Sequence, residues 1–256
     1  MKVSNFMKSG RKRQAIPFLF TSDGVLSLAL TKSGLRGLKK QAALLEKLNV
    51  ESIFLESRNK LLEIEPELHD SIRGGLYFPK DAHVQAGSFV QALSRRLRRE
   101  GVFFEENTKV LKLNIKENQF KSIDTNKGQY TSSSLIISAG SFTSNLLRPL
   151  GLRLPLQAAR GHSMTYYGDD ICVRKPLMLE EAKIVVSPYK GSLRFSGFLD
   201  FAGNNPQINK SQIFKMKEYA GKYLRKLPRT QHPPLPWVGL RPCSPDGLPY
   251  LGRLSK

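Results

Sequence analysis

Cysteine is nearly absent from this sequence: two in 256 residues, Cys172 and Cys243. They are far apart, with no CxxC partner and no histidine cluster nearby, which argues against a disulfide framework or a zinc site. Small, buried, inert thiols are the expectation. Long apolar runs are missing too, and none approaches the ~20 residues that span a bilayer as a helix. The stretch Met1 to Lys12 is polar and basic without an apolar core behind it, so no signal peptide is expected. A soluble, cytoplasmic protein is the expectation. Acidic residues are scarce, with 21 Asp and Glu against 41 Lys and Arg, a net charge of +20. No Ser-His-Asp set, metal-ligand cluster or P-loop is present.

What is present suffices for one or two domains, since 40% of the residues are hydrophobic. The basic excess permits a nucleic-acid or anionic-membrane partner. It is scattered, however, and the cluster Arg95, Arg96, Arg98, Arg99 lies opposite an apolar stripe of Phe89, Val90, Leu93 and Leu97. That places it on the solvated face of a helix. The aromatics lie in apolar stripes rather than among the basic runs, unlike a stacking platform. No specific nucleic-acid partner is expected.

Residues 1–17 read as an irregular basic leader. Gly24–Leu30 reads as a strand apolar on both faces. Leu35, Leu38, Ala42, Leu45 and Leu48 recur at helical spacing behind Ser33 as N-cap, which predicts a helix over 34–48. Ser52–Leu55 is a brief strand, Ser57–Ile64 a short helix stopped by Pro66, and Ser88–Glu100 a helix closed by Gly101. Val102–Glu105 is a further strand, and the pattern over 108–115, 119–125 and 128–131 predicts an antiparallel meander. Leu135–Ser138 reads as a buried parallel strand, and Asn145–Leu150 as a short helix. Strands are expected at 157–167, 183–188 and 192–199, then a helix over 210–227. Pro233-Pro234-Leu235-Pro236 reads as a stiff connector, and the tail from Trp237 as a rigid Gly- and Pro-rich loop.

That tail, Trp237-Val-Gly-Leu-Arg241-Pro-Cys-Ser-Pro-Asp-Gly-Leu-Pro-Tyr-Leu-Gly-Arg253, is the most specific stretch. From the residues alone, Arg241 is either a surface arginine or a planar fork suited to a carboxylate. The tail resembles the W-x-G-L-R-P-x-T-P-D-G-x-P-x-I-G signature of FAD-dependent amine oxidases and dehydrogenases, a family that includes glycine oxidase and D-amino-acid dehydrogenase. Ser244 replaces the usual Thr, and Leu251 the usual Ile. Gly74 to Asp81 resembles the family's GGLYFPxD segment, although Gln85-Ala86 replaces its usual acidic residue and neighbour. Glu106 to Val110, Ser138-Ala139-Gly140-Ser141-Phe142, Pro155 to Ser163 and Glu181 to Ser187 match further segments, in the family's order.

The resemblance implies an α/β fold, with an incomplete FAD-binding Rossmann-like domain interleaved with an α+β substrate domain of mixed antiparallel sheet. The substrate domain would come from 18–86 and 156–236, the FAD-domain remnants from 87–155 and 237–256. It implies FAD as cofactor, with Val110, Ala139, Gly140, Arg160, Gly161 and His162 toward the cofactor and Arg241 on the substrate carboxylate. Tyr77, Tyr166 and Tyr250 are candidates to line the site or to be core aromatics. A lone histidine such as His83 or His162 reads first as a satisfied polar residue. The implied reaction is oxidative deamination of a D-amino acid, or a related small amine such as glycine, to a 2-oxo acid and ammonia. The basic surface could rest on the inner face of an anionic membrane.

One departure sets the remaining expectation. The G-x-G-x-x-G turn that holds pyrophosphate at a helix N-terminus is absent, because Gly34-Leu-Arg-Gly37 has the wrong spacing and no strand-turn context. The family's closing Gly-His-rich segment is absent as well. A chain truncated at both ends and inactive alone is therefore expected, with a non-catalytic remnant or a basic nucleic-acid-binding protein as alternatives.

Overall fold

The computed structural model describes residues 18–117, 119–171, 173–229 and 232–253. The expected basic leader and Cys172 lie outside them. Thirteen described strands form three sheets: β1 (Phe20–Thr21), β2 (Val25–Ala29), β3 (Ile53–Leu55), β4 (Gly74–Phe78), β5 (His83–Val84), β6 (Val110–Lys116), β7 (Gln119–Thr125), β8 (Gly128–Thr131), β9 (Gln157–Tyr167), β10 (Leu177–Leu179), β11 (Ile184–Tyr189), β12 (Ser192–Asp200) and β13 (Leu235–Cys243). The α-helices are α1 (Lys32–Lys47), α2 (Arg58–Ile64), α3 (Ala86–Arg99), α4 (Thr143–Leu147) and α5 (Lys210–Ala220). The largest sheet has eight strands in the order β13-β9-β12-β11-β10-β2-β4-β3. It is mixed: β2 runs parallel to β10 and antiparallel to β4, while β11 is antiparallel to both β10 and β12. The fold is α/β.

The chain forms two compact units. Among the described residues, one comprises 18–101, 162–198 and 208–238, the other 102–161, 199–207 and 239–253. In the first, β2 is apolar on both faces because both are covered. Leu26 and Leu28 enter a core with Leu61, Leu177, Ile184, Phe195 and Tyr223. Ala29 faces the other way, onto Leu38 of α1 and Leu76 of β4. Glycine is required at Gly75 because an added Cβ would stand 2.7 Å from the Ser27 carbonyl oxygen and 3.1 Å from Leu61 Cδ2. The Gly74-Gly75 pair thus opens a strand. Helix α1 is capped by Thr31, not Ser33, since the Thr31 hydroxyl accepts from Gly34 N at 2.9 Å. Leu48 falls just past the helix and is exposed, as is Val90 on α3, where Ala92 takes the buried place.

In the second unit, β6–β7–β8 form the expected meander. Two expectations fail there. Residues 102–105 and 135–138 form no strand, and Phe103 and Ile136 are 94% and 88% exposed. An apolar run becomes a buried parallel strand only with strands beside it and cover on its faces; among the described residues neither run is paired. Four strands went unrecognised in the sequence, β1, β5, β10 and β13. The last corrects the reading of residues 235–243 as connector and loop. Pro236 and Pro242 are tolerated because β13 is the edge of the large sheet, where a missing N–H breaks no ladder.

Candidate functional site

The site begins with β13. Its Gly239-Leu240-Arg241-Pro242 segment is extended, and Arg241 is exposed with no partner among the described residues. The strand runs into a tight turn. There Ser244 Oγ donates to the Leu248 carbonyl at 2.7 Å, and Leu248 N donates to Asp246 Oδ1 at 3.0 Å. Gly247 supplies the left-handed residue of that turn, with φ +75°. The Leu248 N–H holds the Asp246 carboxyl below its ordinary range. Arg241 is therefore a free guanidinium on a stiff strand, closed by a turn whose own polar groups are satisfied. Cys243 beside it is a half-buried free thiol.

Strand β9 passes close to this segment. A Cβ on Gly161 would lie 3.2 Å from Leu199 Cδ2 and 3.9 Å from the Gly239 carbonyl oxygen. The neighbours of Gly161 are committed within the fold. Arg160, almost fully buried, donates from Nε to Asp200 Oδ1 at 2.8 Å and from a terminal nitrogen to Asp200 Oδ2 at 3.1 Å. Its other terminal nitrogen donates to the Gln207 carbonyl at 3.0 Å. This bidentate pair closes the loop that follows β12. His162 is 1% exposed. Its Nδ1 faces the Phe198 carbonyl at 3.3 Å, so Nδ1 carries the proton, and Nε2 accepts from Asn209 N at 3.2 Å. Asn209 in turn caps α5. Asp200 and Asn209 were missed in the sequence, because their partners are 40 and 47 residues away and no spacing rule links them.

The other expected cofactor residues lie elsewhere in the second unit. Val110 opens β6 and is half-buried. Ala139 precedes the 3-10 turn Gly140–Phe142, and Gly140 has φ +56° with nothing within 4 Å of where a Cβ would stand. Backbone conformation, not crowding within the chain, demands glycine there. Of the tyrosines, Tyr77 donates to the Asp23 carbonyl at 2.9 Å and Tyr250 is exposed. Tyr166 is buried in the core against Phe195, and burial raises its phenol pKa. Among the described residues no group of three or more His, Cys, Asp or Glu could hold a metal. No described helix is long and apolar enough to cross a membrane.

Comparison with known proteins gives the class. Residues 5–256 match the model of the DAO family, FAD dependent oxidoreductase, and the chain belongs to that family. Among its relatives, the D-amino acid dehydrogenase of Vibrio vulnificus is 27% identical over 251 residues, covering 95% of this chain and 59% of the relative. That of Helicobacter pylori (strain J99) is 26% identical over 191 residues, covering 74% of this chain and 46% of the relative. The chain thus spans about half the length of these curated relatives. The fold matches crystal structures of glycine oxidase from Bacillus cereus and Geobacillus kaustophilus, with TM-scores of 0.85 and 0.86 at 22% and 20% identity. They cover 97% and 98% of this chain, which spans 68% and 67% of theirs.

The family implies FAD, and the residues present fit it in part. The open, left-handed Gly140 beside small Ala139 leaves backbone accessible to a flat or anionic group. The sequence carries no G-x-G-x-x-G turn, the usual pyrophosphate cradle at a helix N-terminus.

Proposed function

We propose that the protein serves FAD-dependent oxidative deamination of a small amino acid, of D configuration or glycine, with Arg241 as the carboxylate anchor. The observation that carries this reading is the unpaired Arg241 guanidinium on β13, within a tail that matches the family signature. A planar fork accepts both oxygens of a carboxylate and fixes the plane of the bound group. Anchored so, the substrate can turn only about its Cα–carboxylate bond, which restricts where the Cα hydrogen points. FAD, when bound, supplies the acceptor for the hydride lost from Cα. The resulting imino acid hydrolyses in water to a 2-oxo acid and ammonia. No residue is assigned as a general base, since an amine that arrives neutral needs none for hydride loss.

Arg160 and His162 serve as positioning residues in this reading. Each ties the two ends of the 199–208 segment together, Arg160 through Asp200 and Gln207 and His162 through Phe198 and Asn209. Val110, Ala139 and Gly140 offer backbone to the cofactor. The test is to supply FAD and a membrane-permeable electron acceptor to the purified protein and to measure 2-oxo acid and ammonia. Equal amounts of both from D-alanine or glycine, and none from L-alanine, support the proposal. Turnover of the L-isomer alone contradicts it.

A second reading has an observation of its own. Phe103 and Ile136 stand nearly fully exposed where cover would be expected, and the sequence carries no G-x-G-x-x-G turn. On that basis the chain alone retains no flavin through gel filtration. A visible flavin band at one per chain after that step would refute this reading.

A further inference from the structure

Helix α1 covers one face of the large sheet at β2 and β4, where Ala29, Leu38 and Leu76 are buried together. Further along that face, within the first unit, the sheet stays open. Leu177, Leu179, Ile184, Val186, Leu193 and Phe195 of β10, β11 and β12 all enter the core on the other side. The residues between them point the opposite way, because side chains alternate along a strand. Met178 opposes Ser27, two residues from Ala29, so it belongs to the face that α1 covers elsewhere. Met178 and Val185, paired across β10 and β11, are both exposed there. On the same face Arg194 of β12 donates from a terminal nitrogen, Nη2, to Ser163 Oγ of β9 at 3.0 Å. Its guanidinium also lies over the ring of Trp237 on β13, 5.2 Å from the centroid. Trp237, the one tryptophan of the chain, is itself 56% exposed.

A guanidinium carries five N–H donors in a rigid fork, and Ser163 takes one of them. The Nε and Nη1 atoms of Arg194 have no hydrogen-bond partner and no ion pair among the described residues, and neither atom is buried. These donors are open to solvent, while the Trp237 ring shields one face of the cation. The neighbouring side chains bring no negative charge to them. Ser187, opposite Arg194 across β11 and β12, is neutral, and Val185, its diagonal neighbour at about 7–8 Å, is apolar. An accessible cation beside exposed apolar side chains calls for an anion that also covers those side chains. We propose that this open sheet face binds a small carboxylate with an apolar body. The carboxylate accepts from the free edge of the Arg194 fork, and the body lies on Val185 and Met178. One guanidinium neutralises a monoanion and leaves half the charge of a dianion, which favours a carboxylate over a phosphate. No residue of this surface takes part in the Arg241 reading, so either idea can fail alone.

The test is a titration with phenylacetate followed by Trp237 fluorescence, in Arg241→Ala protein so that the other proposed carboxylate anchor is absent. No second tryptophan contributes to the signal. A saturable change is expected, with phenylacetate bound at least roughly tenfold more tightly than acetate, which lacks the apolar body, or benzyl alcohol, which lacks the charge. In isothermal titration calorimetry, Arg194→Gln should weaken phenylacetate binding by about tenfold or more. Ser187→Asp puts a carboxylate directly opposite Arg194, as a favourable cross-strand pair, and should abolish binding with Arg194 still present. One substitution removes the cation and the other occupies it, so either remains decisive if circular dichroism shows that its counterpart disturbs the fold. The absence of a saturable change overturns the proposal. So does benzyl alcohol or phenyl phosphate binding as tightly as phenylacetate, or an unchanged affinity in either folded variant.

Discussion

At the scale of single residues, side chains that looked alike in the sequence separate by what holds them. Arg160 and Arg241 both fall in motif segments, yet Arg160 is bidentate on Asp200 and Arg241 is unpaired. Identity and spacing drew attention to both arginines; they could not show which was already spoken for, because the partner sits 40 residues away. The tyrosines differ likewise. Tyr77 satisfies its hydroxyl on the Asp23 carbonyl, whereas the buried Tyr166 hydroxyl has no partner among the described residues. A buried hydroxyl without a hydrogen bond is a liability that removal relieves. Tyr166→Phe should therefore leave stability unchanged or raise it by up to ~1 kcal/mol, read as the urea midpoint. A loss of more than ~1 kcal/mol would mean that the hydroxyl is engaged.

At the scale of elements, what was legible depended on whether local pattern and tertiary setting agreed. β9, β11, β12 and the β6–β8 meander were readable, since alternation and turn glycines mark them locally. The helix α1 was readable from its leucine spacing, but its end was not. Leu48 fits the stripe, yet the helix stops at Lys47. β13 was hidden by Pro236 and Pro242, which read as breakers until an edge position makes them harmless. Leu135–Ser138 erred in the opposite direction, because an apolar run is not a strand without neighbours. The glycine pair of β4 gives a sharp test at this scale. A methyl at Gly75 meets backbone, the Ser27 carbonyl oxygen, which cannot swing aside like a flexible side chain. Gly75→Ala should cost roughly 1–3 kcal/mol by overpacking, with Gly87→Ala, where a Cβ meets nothing, near neutral. Equal stability of the two variants in thermal melts would show that β2 and β4 do not approach so closely.

At the scale of the whole molecule, long-range ties count for more than surface charge. Glu181 accepts from Thr31 N and Thr31 Oγ1 at 2.9 Å each, from Leu30 N at 3.1 Å and from Tyr223 Oη at 2.6 Å. It thereby joins the start of α1 to the segment after α5. Burial pushes the Glu181 carboxyl pKa up, but these hydrogen bonds together outweigh it and hold the group below its ordinary value of 4.5. A folded value below the unfolded one stabilises the protein above pH 4.5, and that contribution fades as pH falls through the folded value. Between about pH 6 and about pH 3, Glu181→Gln should therefore lose less stability than the unaltered protein. Parallel acid-side losses in the two would contradict this. Glu65 has the opposite sign: burial raises its pKa despite three backbone N–H donors, so ionising it works against the fold as pH rises.

The functional account rests on Arg241, and the kcat/KM of FAD-supplied protein for a D-amino acid tests it most directly. A charged bidentate hydrogen bond in a closed site is worth about 1.5–3 kcal/mol or more, and its loss also loosens the alignment of Cα. Arg241→Ala should lower kcat/KM by about 100-fold or more, and Arg241→Lys should recover little, because an ammonium cannot reproduce the fork. Arg253→Ala, in the same tail but outside the matched position, should be much milder. Near-normal turnover in Arg241→Ala alongside its loss in Arg253→Ala would remove the carboxylate anchor and, with it, the proposed function.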